Sequence, residues 1–289
     1  MKVNKITLSL ISICLFGSIF SSYPIAVFHG LGDLCLNPGM GQFTKHLGEQ
    51  TDSISHCFES GGSLLDFVTS FNTQAEKACN HLKANKDFYG KEISVVGLSQ
   101  GSLIARYIIE ECDFGGKVKR YVSIGGPQMG VAAFPHCESG IACNIINSIT
   151  DSLVYTTAIQ NHVGPAGYFH DYKREDAFRK GSTFLASLNN EVENDKAETY
   201  KFNISSLEKM VLIKFSQDTM IIPRETVWFQ FYDSEKNLLP FEKTDVYEND
   251  LLGLKTLHQS GNIEFFEIEG DHLQFSTGDV DRLMVPYLK

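Results

Sequence analysis

The chain has 289 residues, with 25 lysines and arginines against 35 aspartates and glutamates, for a formal charge of −10. That length suits one large α/β domain carrying an insertion. The acidic balance, with no basic patch interleaved with aromatics, argues against nucleic acid as a partner.

Lys2 and Lys5 precede an apolar run from Ile6 to Phe20, and small Ser21 and Ser22 follow. The run is short for a membrane span, so residues 1–22 read as a signal peptide and 23–289 as the mature domain, without a transmembrane anchor. Removing the signal takes the charge to −12 and removes Cys14, leaving six cysteines. An even count in a secreted chain reads as disulfides, and six allow fifteen pairings. Cys137 and Cys143 are near enough in sequence to staple a local loop, a closure worth about 2–2.5 kcal/mol in the chain-entropy account. There is no C-x-x-C pair and no zinc-like spacing of Cys and His, so neither a metal nor a cofactor is expected. Asn203-Ile204-Ser205 is an N-glycosylation sequon, expected on a surface loop.

Ile25 to Phe28 form a short apolar strand that ends in His29-Gly30-Leu31-Gly32-Asp33. A second strand is predicted over Ile54 to Phe58. Leu64, Phe67, Val68, Phe71, Ala75, Ala78 and Leu82 then recur at helical spacing and predict one long amphipathic helix. Ile93 to Val96 run into Gly97-Leu98-Ser99-Gln100-Gly101, and a helix follows over Ser102 to Ile109. Val118 to Ile124 make the next strand, closed by Gly125-Gly126-Pro127. This β-α-β-α-β order predicts a mostly parallel sheet flanked by helices. From about 128 to 199 the pattern changes to helices and loops, read as an insertion over the sheet. Strands return at Met210 to Phe215 and Ile263 to Ile268, and Leu283, Val285 and Leu288 suggest a final helix.

A bare G-x-S-x-G also occurs in structural turns. Here a strand enters it and a helix leaves it, the setting of a nucleophile elbow, with Ser99 held above a helix N-terminus. Serine needs a base and an acid that orients the base. In hydrolases of this architecture the order along the chain is Ser, acid, His, each after a sheet strand. Asp218 follows the Met210–Phe215 strand and His272 follows the Ile263–Ile268 strand, so these are the expected acid and base. Asp271 is a rival acid, although a sequence neighbour rarely folds back onto the adjacent imidazole. Asp245 is a weaker rival, with no strand before it. The backbone N–H groups of Gln100 and Leu31 are the expected oxyanion donors. An ordinary imidazole titrates near pH 6.5, so a histidine base favours activity near neutral.

The insertion carries Ile141, Ile145, Ile146, Ile149, Leu153, Val154, Ile159, Phe169, Phe178, Phe184, Leu185 and Leu188. These residues suit either an apolar lid over a long acyl chain or packing of the insertion's own core. Trp228, Phe229, Phe231 and Tyr232 read as core.

Taken together, His29-Gly30-Leu31-Gly32-Asp33, Gly97-Leu98-Ser99-Gln100-Gly101 and Gly125-Gly126-Pro127-Gln128-Met129-Gly130-Val131 resemble the palmitoyl-protein thioesterases, lysosomal enzymes that remove fatty acyl groups from cysteine. So do Phe169-His170-Asp171, Glu175-Asp176, Ser182-Thr183-Phe184-Leu185-Ala186, Leu251-Leu252-Gly253-Leu254-Lys255 and Gly270-Asp271-His272-Leu273-Gln274. The similarity runs in order over nearly the whole mature chain. It implies an α/β-hydrolase fold with a largely helical insertion over the active site. It also implies a Ser99, Asp218 and His272 triad, with Leu31 and Gln100 as oxyanion donors. The implied substrates are S-acylated proteins or peptides bearing a long-chain fatty acyl group, and the implied location is the secretory pathway, lysosomal or secreted. The same resemblance implies disulfides Cys79–Cys112 and Cys137–Cys143, which leaves Cys35 and Cys57 for each other. Two other functions use the same features: a lipase or acyl esterase acting on oxygen esters, and a catalytically silent acyl-binding protein.

Overall fold

The computed structural model describes residues 22–135, Ile145 and residues 153–289. Six strands form one sheet: β1 (Ile25–Phe28), β2 (Ser55–Cys57), β3 (Glu92–Leu98), β4 (Lys117–Ile124), β5 (Lys209–Phe215) and β8 (Ile263–Ile268). Their order is β2-β1-β3-β4-β5-β8, and every pairing is parallel. A separate antiparallel pair joins β6 (Phe231–Tyr232) to β7 (Leu238–Leu239).

A parallel sheet needs both faces covered, and the strands are accordingly apolar on both. Ala26, Phe28, Ile93, Val95, Met210 and Leu212 face one core with helices α3 (Phe71–Ala84) and α4 (Gly101–Glu110). Ile25, Val27, Val96, Val122, Val211 and Ile213 face the other, which includes residues of α1 (Pro38–Thr51) and of the C-terminal helix Thr277–Leu283. Among the described residues, two disulfides form: Cys35–Cys57 joins the loop after β1 to β2, and Cys79–Cys112 joins α3 to the residues after α4.

Two elements depart from the expectation. The long helix anticipated over Leu64–Leu82 is two helices, α2 (Leu65–Val68) and α3. Thr69 is extended and the Ser70 hydroxyl accepts from the Thr73 N–H, so Ser70 caps a new helix start. Leu64 and Val68, expected on the core face, are therefore about half exposed. Helix α1 was not expected, because it places Thr44, Gly48 and Thr51 on its buried face beside only Met40 and Leu47. That leaves little apolar periodicity to read.

Between 128 and 199 no strand of either sheet occurs among the described residues. The segment holds helices Thr157–His162, Glu175–Gly181 and Leu185–Leu188 and a 3-10 turn at Gly164–Tyr168, and the helix Ala197–Ser205 begins at its end. Arg106 pins this segment to the helix behind the elbow. It is fully buried on α4, bonded to Glu110 and donating to the carbonyls of Gln128 and Leu188 and to Asn189.

Candidate active site

Strand β3 runs directly into the elbow. Ser99 has φ of 52°, the left-handed region that a non-glycine residue occupies only under constraint. Its N–H donates to the Ile124 carbonyl at 2.8 Å, which fixes the turn against β4. The flanking glycines are required by space. A Cβ on Gly97 would lie 2.3 Å from Ser102 Cα, and one on Gly101 would lie 2.3 Å from the Phe28 carbonyl oxygen. The turn thus presents Ser99 at the carboxyl end of the sheet, with α4 starting two residues later.

Three loops at that end of the sheet converge. His272 lies after β8, and its Nε2 is 2.8 Å from Ser99 Oγ. Asp218 lies after β5, and its Oδ2 is 2.7 Å from His272 Nδ1. The carboxylate accepts, so the Nδ1–H donates to it and Nε2 is left to accept from the serine hydroxyl. Asp218 Oδ1 accepts from the N–H groups of Met220 and Ile221, both at 2.9 Å, and the side chain is wholly buried. The acid is thereby held in one orientation.

The rival acids are engaged elsewhere. Asp271 Oδ1 accepts from its neighbour's N–H, that of His272, at 2.7 Å and from the Thr219 N–H at 2.8 Å. These donors hold its carboxyl below the usual range and make it a brace for the turn. Asp245 pairs with Arg179 at the surface.

Leu31 and Gln100 both line the cavity that contains Ser99 and His272. Among the described residues, neither backbone N–H has an acceptor. Gly30 is the close-approach position: a Cβ there would sit 3.3 Å from Ser99 Cβ. The loop after β1 therefore passes directly beside the Ser99 side chain.

The cavity has a volume of about 520 Å³ and a mainly apolar wall that includes Phe67, Val131, Phe134, Tyr168, Ile221 and Leu273. This wall is not legible in the sequence, because its residues come from five separate stretches of the chain and share no periodicity. Of the two readings of the insertion's apolar residues, lid or core packing, the described ones mostly follow the second. Val154, Phe169, Phe178, Phe184, Leu185 and Leu188 are buried in the core shared with α3 and α4. Ile145 and Ile159 lie against it, and Leu153 is exposed. None of these lines the cavity; Ile141, Ile146 and Ile149 lie outside the described residues. Phe229 and Phe231 are buried in this core and Trp228 and Tyr232 pack against it, as expected of core.

The remaining expectations fall as follows. The Cys137–Cys143 pair lies outside the described residues, as does the signal segment apart from Ser22. Asn203 is not on a surface loop. It sits within the helix Ala197–Ser205, half-buried, its amide donating to the Glu110 carbonyl at 3.4 Å, with Ile204 fully buried beside it. His29, Cys35 and Glu59 cluster closely enough to suggest a metal, but the Cys35 sulfur is bonded to Cys57 and offers no thiolate. Among the described residues, no helix is long and apolar enough to cross a membrane.

With this geometry in place, comparison with known proteins gives a consistent result. The sequence profile of the palmitoyl protein thioesterase family matches residues 24–272. Palmitoyl-protein thioesterase 1 of Caenorhabditis elegans is 35% identical over 269 residues, covering 90% of this chain and 89% of the relative. Palmitoyl-protein thioesterase 3 of Dictyostelium discoideum is 31% identical over 217 residues, covering 74% and 73%. Lysosomal thioesterase PPT2 of Bos taurus is 30% identical over 171 residues, covering 59% and 55%. A profile match over most of the length, joined to an α/β-hydrolase sheet with its serine at the β3 turn, places this chain in the palmitoyl-protein thioesterase family.

Proposed function

We propose that this protein hydrolyses long-chain acyl thioesters of S-acylated proteins or peptides through an acyl-enzyme on Ser99. The observation that carries the reading is the continuous Ser99–His272–Asp218 chain opening into an apolar cavity. In this mechanism Ser99 Oγ attacks the acyl carbonyl while His272 Nε2 takes its proton. The N–H groups of Leu31 and Gln100 stabilise the tetrahedral oxyanion. The C–S bond then breaks, and the cysteine thiolate leaves with the proton from His272. Water, deprotonated by the same nitrogen, attacks the acyl-serine and releases the fatty acid. Asp218 fixes the Nδ1–H tautomer and stabilises the imidazolium formed at each step.

The apolar cavity supports an acyl chain as the group that is bound. Relatives named as lysosomal thioesterases, with the signal-like first 22 residues, support a place in the secretory pathway, either lysosomal or secreted. In that setting Asn203 is the proposed glycan acceptor, checked by a mass decrease with N-glycosidase that Asn203→Gln abolishes.

The test is hydrolysis of a palmitoyl-cysteine peptide and its matched oxygen ester by wild type and Ser99→Ala. We expect wild type to prefer the thioester and the variant to lose it by roughly 10³- to 10⁶-fold in kcat. Preference for the oxygen ester makes the protein a lipase. Negligible turnover of both esters by wild type makes it an acyl-binding protein.

A further inference from the structure

The two oxyanion donors belong to loops that are distant in sequence, and their spacing must still be held to a fraction of an ångström. A buried hydrogen-bond chain joins them. The Gly32 N–H, one residue after Leu31, donates to Asp66 Oδ2 at 2.9 Å. The Gly62 N–H donates to the other oxygen, Oδ1, at 2.6 Å. Gln74 Nε2 donates to the Asp66 carbonyl at 2.8 Å and to the Thr69 carbonyl at 2.9 Å. Gln74 Oε1 in turn accepts from the Gln100 side-chain Nε2 at 2.9 Å. Asp66 and Gln74 are fully buried and Gln100 is 1% exposed, so the side chains that carry the links are shielded from bulk water, while Gly32 at the loop end is exposed.

We infer that Asp66 and Gln74 are positioning residues that set the distance between the Leu31 and Gln100 oxyanion donors. The inference rests on the proposed roles of those two N–H groups. A buried carboxylate is costly unless it is fully engaged, and Asp66 spends both oxygens on backbone N–H groups, one of them in the oxyanion loop. Gln74 is an amide whose donor and acceptor ends are both used, so it cannot turn over without breaking one contact. The insertion closes over this chain: a Cβ on Gly164 would come within 2.0 Å of the Asp66 carbonyl oxygen and 2.5 Å of Gln74 Nε2. The strut is therefore clamped from above, and no side chain larger than hydrogen fits at that contact.

Neither residue touches the acyl group in this reading, so their loss should act on the transition state rather than on chain binding. Asp66→Asn leaves one acceptor for two N–H groups, and Gln74→Met removes both ends of the bridge. We expect each to lower kcat about 10- to 100-fold with KM within twofold, somewhat less than the ~10²- to 10³-fold typical for deleting an oxyanion donor outright. The double variant should lose little more than the worse single one, because both changes break the same chain.

The distinguishing measurement uses two inhibitors. A long-chain alkyl trifluoromethyl ketone forms a hemiketal oxyanion with Ser99, while the matching alkyl alcohol reports chain binding alone. We expect ketone affinity to fall in step with kcat/KM in both variants, with alcohol affinity unchanged. Equal weakening of ketone and alcohol, or unchanged ketone affinity despite lost turnover, would overturn the strut and leave Asp66 and Gln74 as fold residues. If wild type binds the ketone no tighter than the alcohol, the oxyanion assignment itself fails, and the strut with it.

Discussion

Glu110 is where pH should register most clearly in stability. It ends helix α4, fully buried, with Oε1 accepting from Arg106 Nε at 2.8 Å and, among the described residues, no partner for Oε2. Burial pushes its carboxyl up to about 7, and the Arg106 guanidinium opposes that rise only in part. In the unfolded chain the group returns to the ordinary glutamate range. The folded state therefore holds the proton more tightly than the unfolded state. The stabilisation is fully present below the unfolded pKa and is lost as pH rises through about 7. At 1.36 kcal/mol per pH unit of separation, the loss between pH 5 and 8 is about 2–3 kcal/mol. For a chain of this size that lowers the melting temperature by roughly 3–6 °C. Glu110→Gln keeps the shape and the acceptor toward Arg106 but cannot ionise. Wild type and variant should melt together near pH 5, and the variant should be the more stable at pH 8. Other groups also titrate in this window. Burial works against a charge on His170, but its hydrogen bond to Glu175 and the nearby Glu191 carboxylate hold its pKa above the ordinary value. That contribution, too, is present in acid and lost as pH rises. Subtracting the two melting curves at each pH isolates Glu110 from such neighbours. Parallel pH profiles for the two proteins would refute the assignment.

Asp218→Asn should lower kcat by about 10⁴-fold through loss of the correct imidazole tautomer, whereas Asp271→Asn should stay within about tenfold of wild type; the reverse ranking on a thioester substrate would make Asp271 the acid. With a histidine as general base, kcat/KM should fall as acid protonates the base, and a rate that keeps climbing to about pH 4 would contradict that role. Cys79–Cys112 ties the end of α3 to the residues after α4 across 33 positions. Replacing both cysteines by serine should cost about 3–4 kcal/mol in urea unfolding, and no change in the midpoint would show that the bridge does not constrain the unfolded chain.

The parallel sheet was legible because β1, β3 and β5 and the second half of β4 are apolar on both faces, and such runs stand out in any sequence that must bury a sheet between helices. Ser99 was legible because an elbow has a local chemical requirement: glycines wherever strand, turn and helix backbones touch. Asp218 and His272 were expected from their position after strands, a rule of topology that needs no knowledge of distance, and the structure brings them into hydrogen-bond reach of each other and of Ser99. The rest depends on contacts between segments far apart in the chain. Ser70 breaks the expected helix because its hydroxyl caps the Thr73 N–H, and the apolar spacing continues through the break. Asp66 lies inside that run, and nothing in the neighbouring sequence marks it as buried. Only the approach of Gly32 and Gly62 makes it a buried acceptor. The acyl wall was hidden for the same reason: Phe67, Tyr168 and Ile221 meet only once the sheet has brought their loops to one end. By itself the sequence determined what is local: strand, elbow, helix and the order of nucleophile, acid and base. The tertiary structure decided which polar groups lose water and which apolar side chains share a cavity, because burial and proximity are properties of the packed chain.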